Sequence, residues 1–170
     1  MANRHTEHCS LAGFLNLFGD AWSLLILREA FYGSTRFTEF QRNTGAARNL
    51  LADRLSMLVD EGLLRRVAVG KTGSRHAYHL TDKGRSLAPV MSAMILWGNQ
   101  QIYGPGQAPT VLVSRTGGQP VTDLRPALQD GQVADWQDLV VIAGPGASNA
   151  ARKRFGTEVG DHSPPVLPAD

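Results

Sequence analysis

RFTEFQRNTGAARNLLADRLSMLVDEGLLRR, residues 36–66, is the stretch on which the fold turns. It reads as two short helices around the turn Asn43-Thr44-Gly45-Ala46, where Gly45 supplies the permissive backbone that a tight helix–helix turn needs. The second helix, over about residues 47–61, gathers Leu51, Leu55, Leu58 and Val59 on one side of the helical wheel, a core-facing stripe. Asn49, Asp53, Ser56 and Asp60 lie opposite, flanked by Ala52 and Met57, and Gly62 stops the helix. Such a face of short, hydrogen-bonding side chains is either an ordinary solvated surface or one shaped to enter a groove.

Working outward, residues 9–18 predict a first helix that ends at Gly19. Residues 21–32 predict a strongly apolar second helix with Leu24, Leu25, Leu27 and Ala30 inside. Thr35 is placed to cap the third, RFTEFQRN. On the other side, LRRVAV (64–69) and RHAYHL (75–80) flank GKTGS, whose two glycines suit a hairpin loop. Thr81 caps a long helix beginning DKGRSLAPVMSAMILWGNQQI, with a kink expected near Pro89. Its broad apolar stripe of Leu87, Val90, Met91, Met94, Ile95 and Ile102 has little chain left to cover it, which points to a partner subunit. The order helix, helix, helix, turn, helix, hairpin, helix is the plan of a winged helix-turn-helix. In that plan the helix after the turn is the recognition helix.

The fold class is therefore mainly α with a small β-hairpin wing, over residues 1–103. After YGPGQAP the character changes: TVLVSR and DLVVIA look like strands, so residues 104–146 are expected to form a small β-rich C-terminal appendage. Residues 147–170, rich in Pro, Gly and charge, are expected to be a loosely ordered tail.

Composition narrows the function. The 170 residues are 42% hydrophobic and 19% charged, a globular rather than disordered balance. No run approaches the roughly 18 apolar residues that span a bilayer, and the N-terminus lacks a signal-peptide core, so no membrane partner and a cytoplasmic location are expected. The single cysteine, Cys9, precludes an intramolecular disulfide. Net charge is +2, but residues 1–103 hold 12 Lys and Arg against 8 Asp and Glu, and the remainder hold 5 against 7. A basic module facing an anion, with a less basic tail, fits that asymmetry.

The major groove admits one helix, whose inserted side chains must be short or able to hydrogen-bond to base edges. Asn49 suits adenine, Ser56 serves several bases, Ala52 permits close approach, Asp53 accepts from cytosine and Arg48 sits at the helix start. Arg65, Arg66, Lys71, Arg75 and His76 put positive charge around the hairpin tip, suited to phosphates. A basic hairpin following a turn-bounded helix is far more specific than either feature alone. His5, His8 and Cys9 form no convincing metal set, and His76 and His79 are three apart in a strand and so on opposite faces. There is no nucleophile elbow, phosphate loop or dinucleotide fingerprint, so neither catalysis nor a cofactor is expected. Cys9, at the positive end of the first helix, is either a reactive thiol or a small buried hydrophobe.

The ordered set Cys9, Gly19–x–x–Trp22 through Ile26-Leu27-Arg28, Arg36-Phe37–x–Glu39-Phe40, Arg54-Leu55, Asp60 to Leu63 and Tyr78 through Leu80-Thr81–x–Lys83-Gly84 resembles the HxlR-type winged helix-turn-helix regulators, relatives of the MarR regulators. The resemblance covers residues 9 to about 98. It implies a homodimeric regulator of double-stranded DNA, pairing through its N-terminal and C-terminal helices, here Leu11 and the Leu87–Ile102 stripe. It also implies Cys9 as a candidate sensor of oxidants or electrophiles. Ser10 stands where the family often has Pro, and Ala47 where a capping Ser is common. The C-terminal extension lacks the cysteine pairs that suggest zinc in some relatives. The resulting expectation is a dimeric transcriptional regulator, repression being the commoner family behaviour. Arg48, Asn49, Ala52, Asp53 and Ser56 would read bases, while Thr38, Lys71 and Arg75 hold phosphates. An oxidant, electrophile or small ligand near Trp22 and Trp97 is the effector this reading leaves room for. The alternative is a protein-interaction module on the same scaffold without DNA binding, which acidic Asp53 and Asp60 keep open.

Overall fold

Helix α1 (Ser10–Leu17) leads into α2 (Ala21–Phe31), which starts where Asp20 accepts a hydrogen bond from the backbone N–H of Ser23 at 3.1 Å. The computed structural model describes residues 9–18, 20–70, 75–160 and 164–167, and the chain divides into two units, 1–112 and 113–170. Ile26 and Leu27 of α2 have no exposed surface; Ala30 joins them, while Leu24 and Leu25 are half-buried. Against α2 pack α3 (Phe37–Thr44), through fully buried Phe40, and α4 (Arg48–Asp60), through fully buried Leu51, Leu55 and Leu58. Each such side chain contributes about 1.5–3 kcal/mol over leaving it in water, so the leucine stripe fixes which way α4 faces. Met57, expected beside the polar face, is 9% exposed and belongs to this core.

Helix α3 starts one residue later than its sequence suggests. Thr35 remains extended because its carbonyl accepts from Tyr78 N–H at 2.8 Å and Arg36 bridges to Ala77. The cap position falls to Arg36, and the Glu39 carboxylate accepts from the N–H groups of Thr35 (2.8 Å) and Arg36 (2.9 Å). Thr35 is therefore not the capping side chain.

The wing is an antiparallel pair, β1 (Leu64–Val69) and β2 (Arg75–Leu80), with Leu64 opposite Leu80 and Val69 opposite Arg75. Its base is locked to the end of α4. The Thr81 hydroxyl donates to the Gly62 carbonyl at 2.6 Å and accepts from Gly84 N–H at 3.0 Å. A Cβ on Gly84 would overlap the Leu63 carbonyl oxygen.

The single kinked helix expected after Thr81 is instead two helices, α5 (Asp82–Arg85) and α6 (Ala88–Gln101). Pro89 lies in the first turn of α6, where its missing N–H has no intrahelical partner to lose, so it starts a helix rather than bending one. Asn99 Nδ2 donates to the Thr110 carbonyl at 2.8 Å, a tie between α6 and Thr110 within the first unit.

The expected strands at 110–115 and 138–143 do not form. Single bridges occur instead, Val113–Pro120, Ala127–Val133 and Val140–Pro165. Two of the three end on a proline, which lacks the N–H needed to continue a ladder. A short 3₁₀ turn spans Trp136–Asp138. The expected loose tail contains α7 (Asn149–Phe155), capped by Ser148 Oγ, which accepts from Ala151 N–H at 3.2 Å. The appendage is thus turns, bridges and one helix rather than β-rich.

Candidate nucleic-acid interface

The turn between α3 and α4 is made by its own side chains. Gly45 ends α3 with φ at 71°, and Thr44 Oγ1 donates to the Phe40 carbonyl at 2.7 Å while accepting from Ala46 N–H at 3.2 Å. Ala46 is buried beneath the turn. Ala47 provides no side-chain cap, as its methyl must, so the first N–H groups of α4 point outward uncapped.

From that start, Arg48, Asn49, Ala52, Asp53 and Ser56 are all exposed, on an arc of about 140° of the helix. Asn49, Asp53 and Ser56 make no side-chain hydrogen bond to another described residue, so their donors and acceptors are available. Arg48 differs: its guanidinium lies over the Phe37 ring, 5.4 Å from the centroid, at the junction of α3 and α4. Thr38 is exposed in the first turn of α3. Arg75 opens β2, exposed, with Arg65 and Arg66 on β1; Arg66 Nη2 sits 3.1 Å from the His76 ring. Lys71 lies outside the described residues, as do His5 and His8.

Two supports escaped sequence reasoning. Arg54 Nε lies 2.7 Å from Asp20 Oδ2, an ion pair that braces α4 against the cap of α2, although the buried Nε–H is not aimed well enough for a hydrogen bond. Glu39 is the other. Two backbone N–H groups, with Arg36 and Arg42 adding attraction, hold its carboxyl below the usual range. Its signal was visible in the sequence, since a Glu three residues after the cap is the capping-box spacing.

The remaining expected site residues lie on other faces. Cys9 is exposed at the cap position of α1. On the dimerisation stripe, Leu11 (65%) and Ile102 (66%) are the most exposed, Val90 and Met94 are also exposed, Leu87 and Ile95 are half-buried, and Met91 is buried. Trp97 is exposed, whereas Trp22 packs against the core.

A glycine-turned helix pair, a locked leucine stripe with free polar groups opposite and a basic hairpin define a winged helix-turn-helix transcription regulator. The HxlR-like helix-turn-helix family model matches residues 17–104, and the chain belongs to that family. It is 41% identical over 110 residues to the HTH-type transcriptional regulator Rv3095 of Mycobacterium tuberculosis, covering 65% of this chain and 70% of that protein. Among solved structures it is similar to PA1607, a proposed transcription factor, at 42% identity and a TM-score of 0.71, covering 80% of this chain and 95% of that one. It is also similar to PA1374 from Pseudomonas aeruginosa, at 39% identity and a TM-score of 0.63, covering 86% of this chain and all of that one. These relatives and the fold indicate a regulator rather than an enzyme. Among the described residues no single helix is long and apolar enough to cross a membrane.

Proposed function

We propose that this regulator binds DNA sequence-specifically as a homodimer and represses transcription, each α4 entering a major groove of a roughly palindromic site about one helical turn apart. The observation that carries the reading is the exposed face of α4, where Asn49, Asp53 and Ser56 hold unspent hydrogen-bonding groups on a helix fixed by its buried leucines. Asn49, Ala52, Asp53 and Ser56 read bases, with Arg48 at the groove edge on its Phe37 support; Thr38, Lys71 and Arg75 hold phosphates. The exposed apolar side chains of α1 and α6 supply the dimer contact. Exposed Cys9 makes release by an oxidant or electrophile part of the proposal, and DNA release that is unchanged in Cys9→Ser removes it.

The test is mobility shift of the purified chain on its own upstream intergenic DNA and on random duplex, at two salt concentrations. Specific binding that weakens with salt is expected. Asn49→Ala should cost about 1–3 kcal/mol at one base position and leave random DNA unaffected. Equal losses on both duplexes would remove Asn49 from the reading set. Exposed Asp53, on the same face, favours a second reading as a protein-interaction module, which predicts no salt-dependent binding to any duplex.

A further inference from the structure

Behind α3 a buried carboxylate organises a chain of hydrogen bonds that ends at the surface. Glu29 of α2 is 5% exposed. Its Oε1 accepts from Arg28 Nη2 at 2.8 Å and Nε at 3.1 Å, and its Oε2 accepts from Asn43 Nδ2 at 3.0 Å and Ser34 Oγ at 3.4 Å. Asn43 Nδ2 also lies 3.1 Å from Ser34 Oγ. An ionised carboxylate only accepts, so the Asn43 amide must turn its NH₂ inward and its oxygen outward. That outward Oδ1 accepts from Arg42 Nε at 3.2 Å. The orientation of the arginine is thereby set by a buried group on another helix.

Arg42 is exposed, and its Nη groups make no hydrogen bond to another described residue. It lies four residues after Thr38, so the two share one face of α3, with Arg42 a turn nearer α4. In a helix-turn-helix the helix before the turn crosses the backbone at the groove edge. We propose that Arg42 is a phosphodiester-binding residue, and that Asn43, held by Glu29 and Ser34, is the residue that positions it. This rests on the DNA-binding reading and adds to it a contact set through the core rather than by the recognition helix. An arginine fork held through Nε presents its two Nη groups together, the geometry for bidentate capture of a phosphate.

The experiment measures affinity of full-length wild type, Arg42→Ala, Arg42→Lys, Asn43→Ala and the Arg42→Ala/Asn43→Ala double variant for a duplex selected by the wild type from a random library. A scrambled duplex of equal length is measured beside it, over a series of salt concentrations. Arg42→Ala should weaken both duplexes by the same factor and lower the log–log salt slope by about 0.9 for each phosphate that is no longer neutralised. Arg42→Lys should keep the slope while losing part of the affinity. Asn43→Ala should show a smaller loss of the same kind, and none in the Arg42→Ala background. An unchanged salt slope in Arg42→Ala overturns the phosphate contact. An equal Asn43→Ala loss in both backgrounds overturns the positioning role, because the residue then acts on the fold and not on Arg42. Because Arg42 is exposed, its variants decide the contact even where Asn43→Ala unfolds. A wild type that binds neither duplex defeats the DNA-binding reading itself and this inference with it; the variant results bear on the inference alone.

Discussion

Glu39 shows how a single side chain ties the start of a helix to the wing. Its carboxylate caps two N–H groups in the stretch that bridges to β2, so its ionised form belongs to the folded state. Its folded pKa lies below its ordinary value of 4.5. The contribution is therefore fully present above that ordinary value and is lost as pH falls through the folded pKa. Thermal midpoints measured from neutral pH downward should fall below about pH 5. In Glu39→Gln that acid-side fall should be smaller, and an identical pH profile in the two proteins would rule the carboxylate out. At this scale the sequence was informative wherever a residue acts on its own neighbours: Gly45 in its turn, Ala47 as a poor cap, the leucines of α4. It was silent where a residue is claimed by a distant element. Thr35 loses its capping role to a bridge with β2, and Asn43, legible as a turn residue, is recruited by a carboxylate fourteen positions away.

Elements were legible in proportion to their periodicity. The hairpin strands match their expected spans, and the four N-terminal helices differ only at their ends, because alternation and the leucine stripe are local patterns. The region after Thr81 departs from the single helix its sequence predicts because a proline has two opposite meanings. In mid-helix it breaks; in the first turn it is welcome, and only the break at Ser86-Leu87 tells them apart. Pro89→Ala should accordingly change stability by less than about 1 kcal/mol, against about 3 for relieving a mid-helix proline, as read by thermal or denaturant unfolding. Gly84→Ala should behave in the opposite manner. Its added methyl meets the Leu63 carbonyl at the joint of α4, wing and α5, and should cost about 1–3 kcal/mol. Full stability in that variant would mean the joint is loose. The Val- and Ile-rich runs of the second unit read as strands because β-propensity cannot register that the bridge partners are prolines.

At the scale of the whole molecule, the first unit carries the buried side chains and the basic excess, while in the second, among described residues, only Gly156 is buried. Among the described residues of the first unit, exposed large apolar side chains gather on α1, with Leu11 and Leu15, and on α6, with Val90, Met94 and Trp97. In the proposed homodimer, Met94→Asp should therefore reduce the sedimentation coefficient to that of a monomer while leaving the circular dichroism spectrum unchanged; a coefficient that is monomeric already in the wild type, or unaltered in the variant, would count against pairing through α6. Cys9 bears on the same question in another way. It is the sole thiol of the chain and it is exposed, so one nitroxide attaches per copy. A dipolar modulation in a pulsed electron-resonance trace then has no intramolecular source, and it should vanish both in Met94→Asp and on dilution with unlabelled chain. The same lone sulfur that raised the question of chemical sensing makes the protein a ruler for its own assembly.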